Sequence, residues 1–299
     1  MRTLTGLLCV VFLWVSSGCQ PSESGSKVIG VTLLTRNHEF YKDLEEGLDS
    51  AARAYGYLLR VNAAELDLAR QMSQIEDFIT QRVDAVIIAP ADSQGIVPAI
   101  EKLNQKNIPV FTADIAAGGG RVISHIASDN HAGGAKAAEY LCSLVTAGEI
   151  AILNHPIGTS VLDRVAGFRE DLARRGRYDI VADLNGEGVR DRAMNVMSDL
   201  LQAHPNLKGV FCINDPTALG ALDAVNSFGR KEIVLIGYDA TAEAREKIKQ
   251  GTALRADVIQ FPKQIGQRTI EAIHQYFSGQ TPPSRIDVPV GIYDKNSAP

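Results

Sequence analysis

The sequence predicts an α/β protein made of two doubly wound parallel sheets, and three observations support this. Short apolar runs of strand length alternate with segments of helical periodicity from Lys27 onward. Runs such as Ala85–Ala89 are apolar throughout, which is typical of parallel strands covered by helices on both faces. The 299 residues exceed one ordinary core and suit two domains. Such alternation implies right-handed crossovers and doubly wound sheets.

Ten runs are predicted as strands, and the stretches between most of them have the length and period of helices. The predicted strands are Val28–Leu34, Leu58–Val61, Ala85–Ala89, Val110–Thr112, Val122–Ile126, Ile150–Leu153, Ile180–Ala182, Gly209–Ile213, Ile233–Gly237 and Ala253–Ile259. The predicted helices include Tyr41–Tyr55, Ala69–Gln81, Ile96–Asn107, Ala132–Val145, Arg192–Ala203 and Ala218–Phe228.

The composition is globular and argues against a nucleic-acid partner. Apolar residues make up 45% and charged residues 22% of the chain. Thirty basic and thirty-five acidic residues give a net charge of −5, and no block of lysine and arginine stands out. Because a phosphate-binding surface needs clustered positive charge, no nucleic-acid partner is expected.

The N-terminus predicts export. Arg2 precedes an apolar run, Leu7 to Val15, and small residues lead to Cys19. This pattern is typical of a secretory signal. The apolar run is too short to span a bilayer as a mature helix. Gly18-Cys19 resembles a bacterial lipobox, so residues 1–18 are predicted to be a lipoprotein signal peptide and Cys19 the lipid attachment site. The alternative is an ordinary signal peptide, because Ser16 stands where a lipobox usually has leucine.

A polar tether is predicted over residues 19–26, which contain no core-forming residue after Cys19.

The remaining chain holds Cys142 in a helical segment and Cys212 in a strand. The cysteine and histidine spacings match neither a metal site nor a disulfide framework. Both cysteines are therefore expected to be buried thiols that pack as small hydrophobes.

Candidate ligand-binding residues, all but one of them polar, follow the ends of several predicted strands, where parallel sheets bind ligands. They are His38 and Phe40 after the first strand, Asp114 after Ala113, Asn154-His155 after Leu153, Asn214-Asp215 after Ile213, Asp239 after Tyr238 and Gln260 after Ile259. A single Asp or Asn here has another explanation, because such residues often cap the next helix. Their recurrence in both halves favours convergence on one crevice.

These residue types suit a sugar. Hydroxyl groups both donate and accept hydrogen bonds, and a set of carboxylates, amides and a guanidinium can satisfy several of them. The set predicted here is Asp114, Arg164, Asn214, Asp239 and Gln260. Phe40 and Tyr41 could pack against the C–H face of a sugar, or against the core alone. His38 is a further candidate to face the ligand.

Familiar catalytic motifs are missing from the sequence. It contains no G-x-S-x-G elbow, no H-E-x-x-H and no P-loop. We therefore expect no catalytic residue, no cofactor and no metal.

Several strings resemble the ribose-binding proteins of bacterial sugar transporters, which are type I periplasmic substrate-binding proteins. They are Ile108-Pro109-Val110, Ser124-His125-Ile126-Ala127-Ser128-Asp129-Asn130, Gly133-Gly134, Ala203-His204-Pro205, Asn214-Asp215, Ala218-Leu219-Gly220-Ala221-Leu222, Gly237-Tyr238-Asp239, Gln260-Phe261-Pro262 and Gln264-Ile265-Gly266. The likeness runs from about Lys27 to about Val290.

The resemblance implies two lobes joined by three crossings of the chain, with a ligand bound between them and a hinge that closes on it. The N-terminal lobe would comprise residues 27–128 plus 261–289, and the C-terminal lobe residues 129–260 plus 290–299. The resemblance also implies a monomeric receptor in the periplasm or cell envelope that delivers its solute to an ABC permease.

Six residues match the types that contact ribose in this family: Phe40, Asp114, Arg164, Asn214, Asp239 and Gln260. Tyr41 replaces a phenylalanine. Four positions depart, because His38 and Ala89 stand where the family has asparagine, Ile115 where it has arginine and Gly188 where it has phenylalanine. A ribose hydroxyl left without partners costs about 1–3 kcal/mol. The expected ligand is therefore a monosaccharide or polyol other than ribose.

Three alternatives remain open to different degrees. A sugar-responsive repressor of this fold needs a helix-turn-helix where the signal peptide and tether stand, which disfavours it. A sensory lipoprotein that presents its solute, which need not be a sugar, to a membrane kinase or chemoreceptor is the alternative that the sequence leaves open. An enzyme acting on the captured sugar would show turnover.

Overall fold

Two six-stranded sheets organise the chain. The computed structural model describes residues 26–297, so the predicted signal peptide, Cys19 and most of the tether lie outside the described residues. The strands are β1 (Val28–Leu33), β2 (Leu58–Ala63), β3 (Ala85–Ile88), β4 (Val110–Ala113), β5 (Ser124–Ser128), β6 (Gly148–Asn154), β7 (Tyr178–Asn185), β8 (Leu207–Cys212), β9 (Val234–Asp239), β10 (Leu254–Ile259), β11 (Arg285–Val288) and β12 (Gly291–Asp294). The helices are α1 (Glu39–Ala54), α2 (Leu68–Thr80), α3 (Val97–Gln105), α4 (Asn130–Leu144), α5 (Thr159–Arg175), α6 (Arg190–Ala203), α7 (Asp215–Phe228), α8 (Ala242–Lys249) and α9 (Pro262–Phe277).

Each sheet belongs to one lobe. The strand order is β11-β5-β4-β3-β1-β2 in the N-terminal lobe and β12-β10-β9-β8-β6-β7 in the C-terminal lobe. All neighbouring strands pair in parallel except β12, which lies antiparallel to β10 at an edge. The chain passes between the sheets three times, after β5, after β10 and after β11. The predicted two-lobe α/β fold with a three-segment hinge is confirmed.

Helices cover both faces of each sheet, which explains the continuously apolar strands. In β3, Ala85 and Ile87 pack under α1 and α9, whereas Val86 and Ile88 pack under α2 and α3. In the C-terminal lobe, α4 and α5 cover one face, and α6, α7 and α8 the other. A strand whose two faces are both buried gains from an apolar residue at every position.

The last two strands are not among the runs predicted from sequence. β11 is short and mostly exposed, and β12 lies at the edge of its sheet. Of the two cysteines, Cys212 in β8 is buried as expected, whereas Cys142 in α4 is only half-buried. Among residues 26–297, no helix combines the length and apolar character needed to cross a membrane.

Two glycines let α4 and α5 pack with their backbones in contact. A Cβ on Gly134 would lie 1.9 Å from the carbonyl oxygen of Arg164 and 2.8 Å from the amide nitrogen of Phe168. A Cβ on Gly167 would lie 2.0 Å from the carbonyl oxygen of His131. Because the opposing atoms are backbone, neither helix can accommodate a side chain by a rotamer change. This close packing sets where α5 places Arg164.

Replacing Gly134 by alanine is expected to push α4 and α5 apart and to lower the free energy of unfolding by about 1–3 kcal/mol or more. The measurement is urea-induced unfolding followed by circular dichroism. Gly119→Ala is the control, because its Cβ would lie 3.4 Å from the methyl groups of Val97, an ordinary contact. Equal stability of the two variants would contradict close helix packing at Gly134.

Candidate functional site

A cavity of about 380 Å³ lies between the lobes, at the carboxyl ends of the strands. The N-terminal lobe contributes His38, Phe40, Tyr41, Asp114 and Ile115, and the C-terminal lobe contributes His155, Arg164, Gly188, Asn214 and Asp239. The volume is in the range of small-molecule sites. A larger groove of about 620 Å³ runs along α1 and α8 on the other side of Phe40 and Asp239. We take the first cavity as the candidate site because the strand ends of both sheets border it.

Asp114 is the buried acceptor of the N-terminal lobe. Its Oδ2 accepts a hydrogen bond of 2.6 Å from the hydroxyl group of Tyr41, whereas its buried Oδ1 has no hydrogen-bond partner. Burial raises the pKa of Asp114 to about 6, although the charge of Arg164 and the hydrogen bond from Tyr41 oppose the rise. The backbone of Asp114 has a φ of +68°, a strained conformation that often occurs at ligand sites.

Arg164 is the fixed cation of the C-terminal lobe. Its Nε donates to Oδ1 of Asn130 at 2.8 Å, and its NH1 donates to the carbonyl oxygen of Ile213 at 2.7 Å. The guanidinium also lies over the ring of Tyr238, with Cζ 3.9 Å from the ring centroid. Asn130 lies in α4, Ile213 directly follows β8 and Tyr238 lies in β9. Three parts of the lobe therefore hold the guanidinium at the cavity wall.

His38 and Asp239 bring the two lobes into contact. Nε2 of His38, the N-cap of α1, lies 3.1 Å from Oδ2 of Asp239 at the end of β9. Burial alone would lower the pKa of His38, but the hydrogen bond to Asp239 and the charges of Asp239, Asp215 and Asp114 raise it above its ordinary value. Asp239 also accepts a 2.5 Å hydrogen bond at Oδ1 from Nε2 of Gln260.

The other candidate residues differ in where they lie. Ile115 borders the cavity. Ala89 is not among the residues that line it and continues the face of β3 that packs under α1 and α9, so a contact between Ala89 and the ligand stays a prediction. Gln260 lies beside the cavity, in contact with Asp239. Of the predicted ligand-binding residues, Gln260 and Ala89 are thus the two that do not line the cavity.

Asn214 and Gly188 form one wall together. Oδ1 of Asn214 caps α7 by accepting from the amide of Thr217 at 3.0 Å, and its Nδ2 donates to the carbonyl oxygen of Gly188 at 3.1 Å. Asn214 is therefore a helix cap that also borders the cavity. Gly188 has a φ of +68°, which disfavours a side chain there. The imidazole of His155 stands 3.7 Å from where a Cβ on Gly188 would be.

Further hydrogen bonds join the lobes beside the cavity. The carboxylate of Glu39, at the start of α1, lies 3.3 and 3.4 Å from the amide nitrogen of Ala242, at the start of α8. The hydroxyl group of Thr159, at the start of α5, accepts from the amide of Ala116 at 3.1 Å and donates to the carbonyl oxygen of Ala116 at 3.2 Å. The amide of Thr159 donates to Oγ of Ser93 at 3.2 Å. The structure therefore represents a state in which the lobes are in contact.

A pair of buried carboxyl groups lies behind Asp239. Asp215 and Asp257 are 1% and 0% exposed. Burial and the charge of Asp239 raise the pKa of Asp215 to about 7, and burial and the charge of Asp215 raise the pKa of Asp257 well above its usual range. Oδ2 of Asp215 accepts from the amide of Thr241, which orders the turn between β9 and α8.

Sequence reasoning missed the residues whose roles depend on the other lobe. His155 follows the predicted strand Ile150–Leu153 and lines the cavity. Its position after a strand end marks it as a candidate, but the predicted ligand-binding set does not include it. Glu39 and Thr159 have no signal in the sequence, because their partners lie 203 and 43 residues away. Among residues 26–297, no cluster of three histidine, cysteine, aspartate or glutamate side chains could hold a metal ion.

Replacing Asp257 by asparagine is expected to flatten the pH dependence of stability. The raised pKa means that the folded state keeps a proton that the unfolded state releases, so the free energy of unfolding falls as pH rises above about 4. One such proton contributes a slope of about 1.4 kcal/mol per pH unit at most. Urea unfolding between pH 4 and 8 measures it. Asp199→Asn, exposed on α6, is the control, and identical slopes in all three proteins would refute the assignment.

Removing the carboxylate of Glu39 is expected to favour the open lobes. A negative charge at a helix N-terminus contributes about 0.3–1 kcal/mol, so Glu39→Ala should lower the ratio of closed to open molecules by about two- to fivefold. Small-angle X-ray scattering of the unliganded protein measures the opening. Asp43→Ala is the matched control, because Asp43 lies one turn on and pairs with Lys263 of the same lobe. An equal radius of gyration for both variants would exclude Glu39 from closure.

Comparison with known proteins agrees with this geometry. Residues 29–281 match a family model described as a periplasmic binding protein domain. The chain is 33% identical to the ribose import binding protein of Bacillus subtilis, over 98% of this chain and 99% of that protein, and 31% identical to the one of Escherichia coli, over 99% of both. A solved ABC transporter solute binding protein from Mycobacterium smegmatis with bound glycerol is 29% identical, with a TM-score of 0.85 over 91% of this chain and 96% of that one. The chain belongs to the type I periplasmic binding protein family and resembles its ribose-binding members.

Proposed function

We propose that the protein is the solute receptor of an ABC importer and binds a monosaccharide or polyol in the cavity between its lobes. The observation that carries the proposal is Asp114, a cavity-lining carboxylate whose buried Oδ1 has no hydrogen-bond partner. A ligand hydroxyl can donate to that oxygen, and Arg164 on the opposite lobe can donate to another. A polar ligand would thus connect the lobes.

The relatives support this class of ligand. Their names describe a xylitol-binding protein of Mycolicibacterium smegmatis, 29% identical, and a D-allose-binding periplasmic protein of Escherichia coli, 28% identical. A solved solute binding protein of Actinobacillus succinogenes with bound D-allose is 27% identical, with a TM-score of 0.83. These relatives are receptors for sugars or a polyol, and in the same way we propose that this chain binds and delivers its solute without converting it.

The ligand we propose is not ribose. Ile115 presents aliphatic carbon to the cavity, and His38 is already paired with Asp239. Gly188 has no side chain to close on a sugar, and its positive φ disfavours one. The cavity therefore offers fewer donors and more apolar surface than a ribose site needs, which favours a ligand with a C–H or methyl face toward Ile115.

In this proposal Phe40 and Tyr41 pack against the ligand's carbon face, while Asp239 and Asn214 supply acceptors and a donor. Gln260 acts through Asp239, whose carboxylate it holds. Cleavage after residue 18 and lipidation of Cys19 would anchor the receptor to a membrane of the cell envelope. An ABC permease in that membrane would be its partner, and the receptor would work as a monomer.

A thermal-shift screen against pentoses, hexoses, deoxy sugars and polyols tests the proposal. The protein, starting at Ser26, should show one strong hit, because a ligand at a hundred times its Kd adds about 2.7 kcal/mol to the free energy of unfolding. Ribose should bind weakly. Asp114→Asn should weaken binding of the hit at least tenfold, because a hydrogen bond to a charged group contributes about 1.5–3 kcal/mol.

Asp77→Asn is the control, because Asp77 is exposed on α2 away from the cavity. Its affinity for the hit should equal that of the unmodified protein. No shift with any sugar or polyol would refute the proposed ligand class. Saturation by ribose at sub-micromolar concentration would refute the proposed specificity.

A further inference from the structure

We propose that an aromatic patch at the far end of the N-terminal lobe rests on the lipid surface that holds the protein's own anchor. The patch consists of Lys27, Tyr55, Tyr57, His274, Tyr276 and Phe277. This inference rests on the proposed lipid attachment at Cys19. It adds a second, non-covalent contact that orients the receptor on the membrane.

The patch is an ordered cluster. The ring of Tyr55 stacks on His274 with centroids 4.1 Å apart, and the hydroxyl of Tyr57 lies 2.7 Å from Nδ1 of the same histidine. Phe277 meets Tyr57 edge to face at 5.7 Å, and Nζ of Lys27 lies 5.4 Å from its centroid. These contacts hold the rings against one another, and Tyr276 packs edge to face on Phe111 of β4, with ring centroids 6.0 Å apart.

The outer rings of the patch remain exposed to solvent. Tyr55 is 40% and Tyr276 37% exposed. Aromatic residues form only 6% of the chain, so a cluster of four with two of them exposed is a local concentration. Tyrosine combines an apolar ring with a polar hydroxyl and is enriched where a protein meets the headgroup layer of a membrane. The composition of the patch therefore suits a lipid interface.

The chain enters the fold at this patch. The hydroxyl of Ser26 donates to the carbonyl oxygen of Gly56, which lies between Tyr55 and Tyr57. From Cys19 to Ser26 the chain has seven residue steps, which reach at most about 25 Å when fully extended. Ser26, which contacts Gly56 between Tyr55 and Tyr57, is thus held within about 25 Å of a lipid on Cys19, and the tether brings this end of the lobe to the membrane at high effective concentration.

The patch and the cavity lie at opposite ends of the N-terminal lobe. Helix α1 begins at the cavity, which its N-cap His38 lines, and ends at Ala54 next to the patch, and its 16 residues are about 24 Å long. With the patch on the lipid, the cavity faces away from the bilayer, where solute arrives. Delivery to a permease then requires the receptor to leave this orientation.

Tryptophan fluorescence in lipid vesicles tests the proposal. The only tryptophan, Trp14, lies in the predicted signal peptide, so Tyr55→Trp gives the processed protein a single reporter. The full chain is purified with its lipid and reconstituted in phosphatidylcholine vesicles that contain a lipid with a nitroxide headgroup. We expect Tyr55→Trp to be quenched at least twofold more strongly than Phe228→Trp.

Phe228→Trp is the matched control. Phe228 ends α7, which starts at the cavity and runs to the far end of the C-terminal lobe, and it is 45% exposed. Tyr276→Trp should be quenched like Tyr55→Trp, and unfolding midpoints equal to that of the unmodified protein show that the variants fold. Equal quenching of the reporters in the two lobes would overturn the proposal.

Mass spectrometry of the purified chain separates this inference from the proposed anchor. A mass without lipid on Cys19 would refute the anchor and the patch contact together. A lipidated protein with equal quenching at both ends would refute the patch contact alone. The protein starting at Ser26, which lacks both the attachment site and Trp14, should show no quenching at Tyr55→Trp, because two exposed tyrosines bind a membrane weakly without the lipid anchor.

Discussion

The site depends on carboxylates held at the boundary between two lobes, where water is scarce. Asp114 comes from one lobe and Asp239 from the other, and both have positive φ. A buried carboxylate is costly unless charges or hydrogen bonds compensate it. Tyr41 and Arg164 stabilise the charge of Asp114 only in part, so its pKa stays near 6. A ligand hydroxyl at the free oxygen would complete the compensation, which links binding to contact between the lobes.

The two lobes hold their groups in different ways. Arg164 is fixed inside the C-terminal lobe by Asn130, Tyr238 and the backbone of Ile213, and the Gly134 contact sets the helix that carries it. In contrast, His38 reaches Asp239 across the cleft, and that contact exists only while the lobes are closed. Protonation of His38 strengthens the contact. The C-terminal lobe thus presents a rigid surface, and closure is completed by groups from α1.

Much of the fold follows from the sequence, because a strand buried on both faces must be apolar at every position. The positions of Asp114, Asn214 and Asp239 directly after strands predicted that they border the cavity, because the carboxyl ends of parallel strands lie at one edge of a sheet. Ala89 entered the candidate set through the family resemblance, and alternation along β3 places it on the face that packs against α1 and α9. Contacts such as that of Glu39 with Ala242 join residues 203 positions apart, and no local pattern encodes them. Strand β11 has apolar residues at only two of its four positions, so its apolar signal is weak.

In the proposed function, ligand specificity follows from the positions where this chain lacks an arginine or asparagine that the resemblance to ribose-binding proteins predicts. An arginine or asparagine donor can be satisfied only by a hydroxyl or a water molecule, and a site that buries such a donor rejects ligands that lack the hydroxyl. Ile115 carries no donor, so the wall it forms imposes no such penalty on a carbon–hydrogen surface. His155, next to the open space at Gly188, restores polar character on the opposite wall. We infer that the ligand is polar on the side of Asp239 and Asn214 and apolar toward Ile115, which is the pattern of a deoxy or substituted sugar.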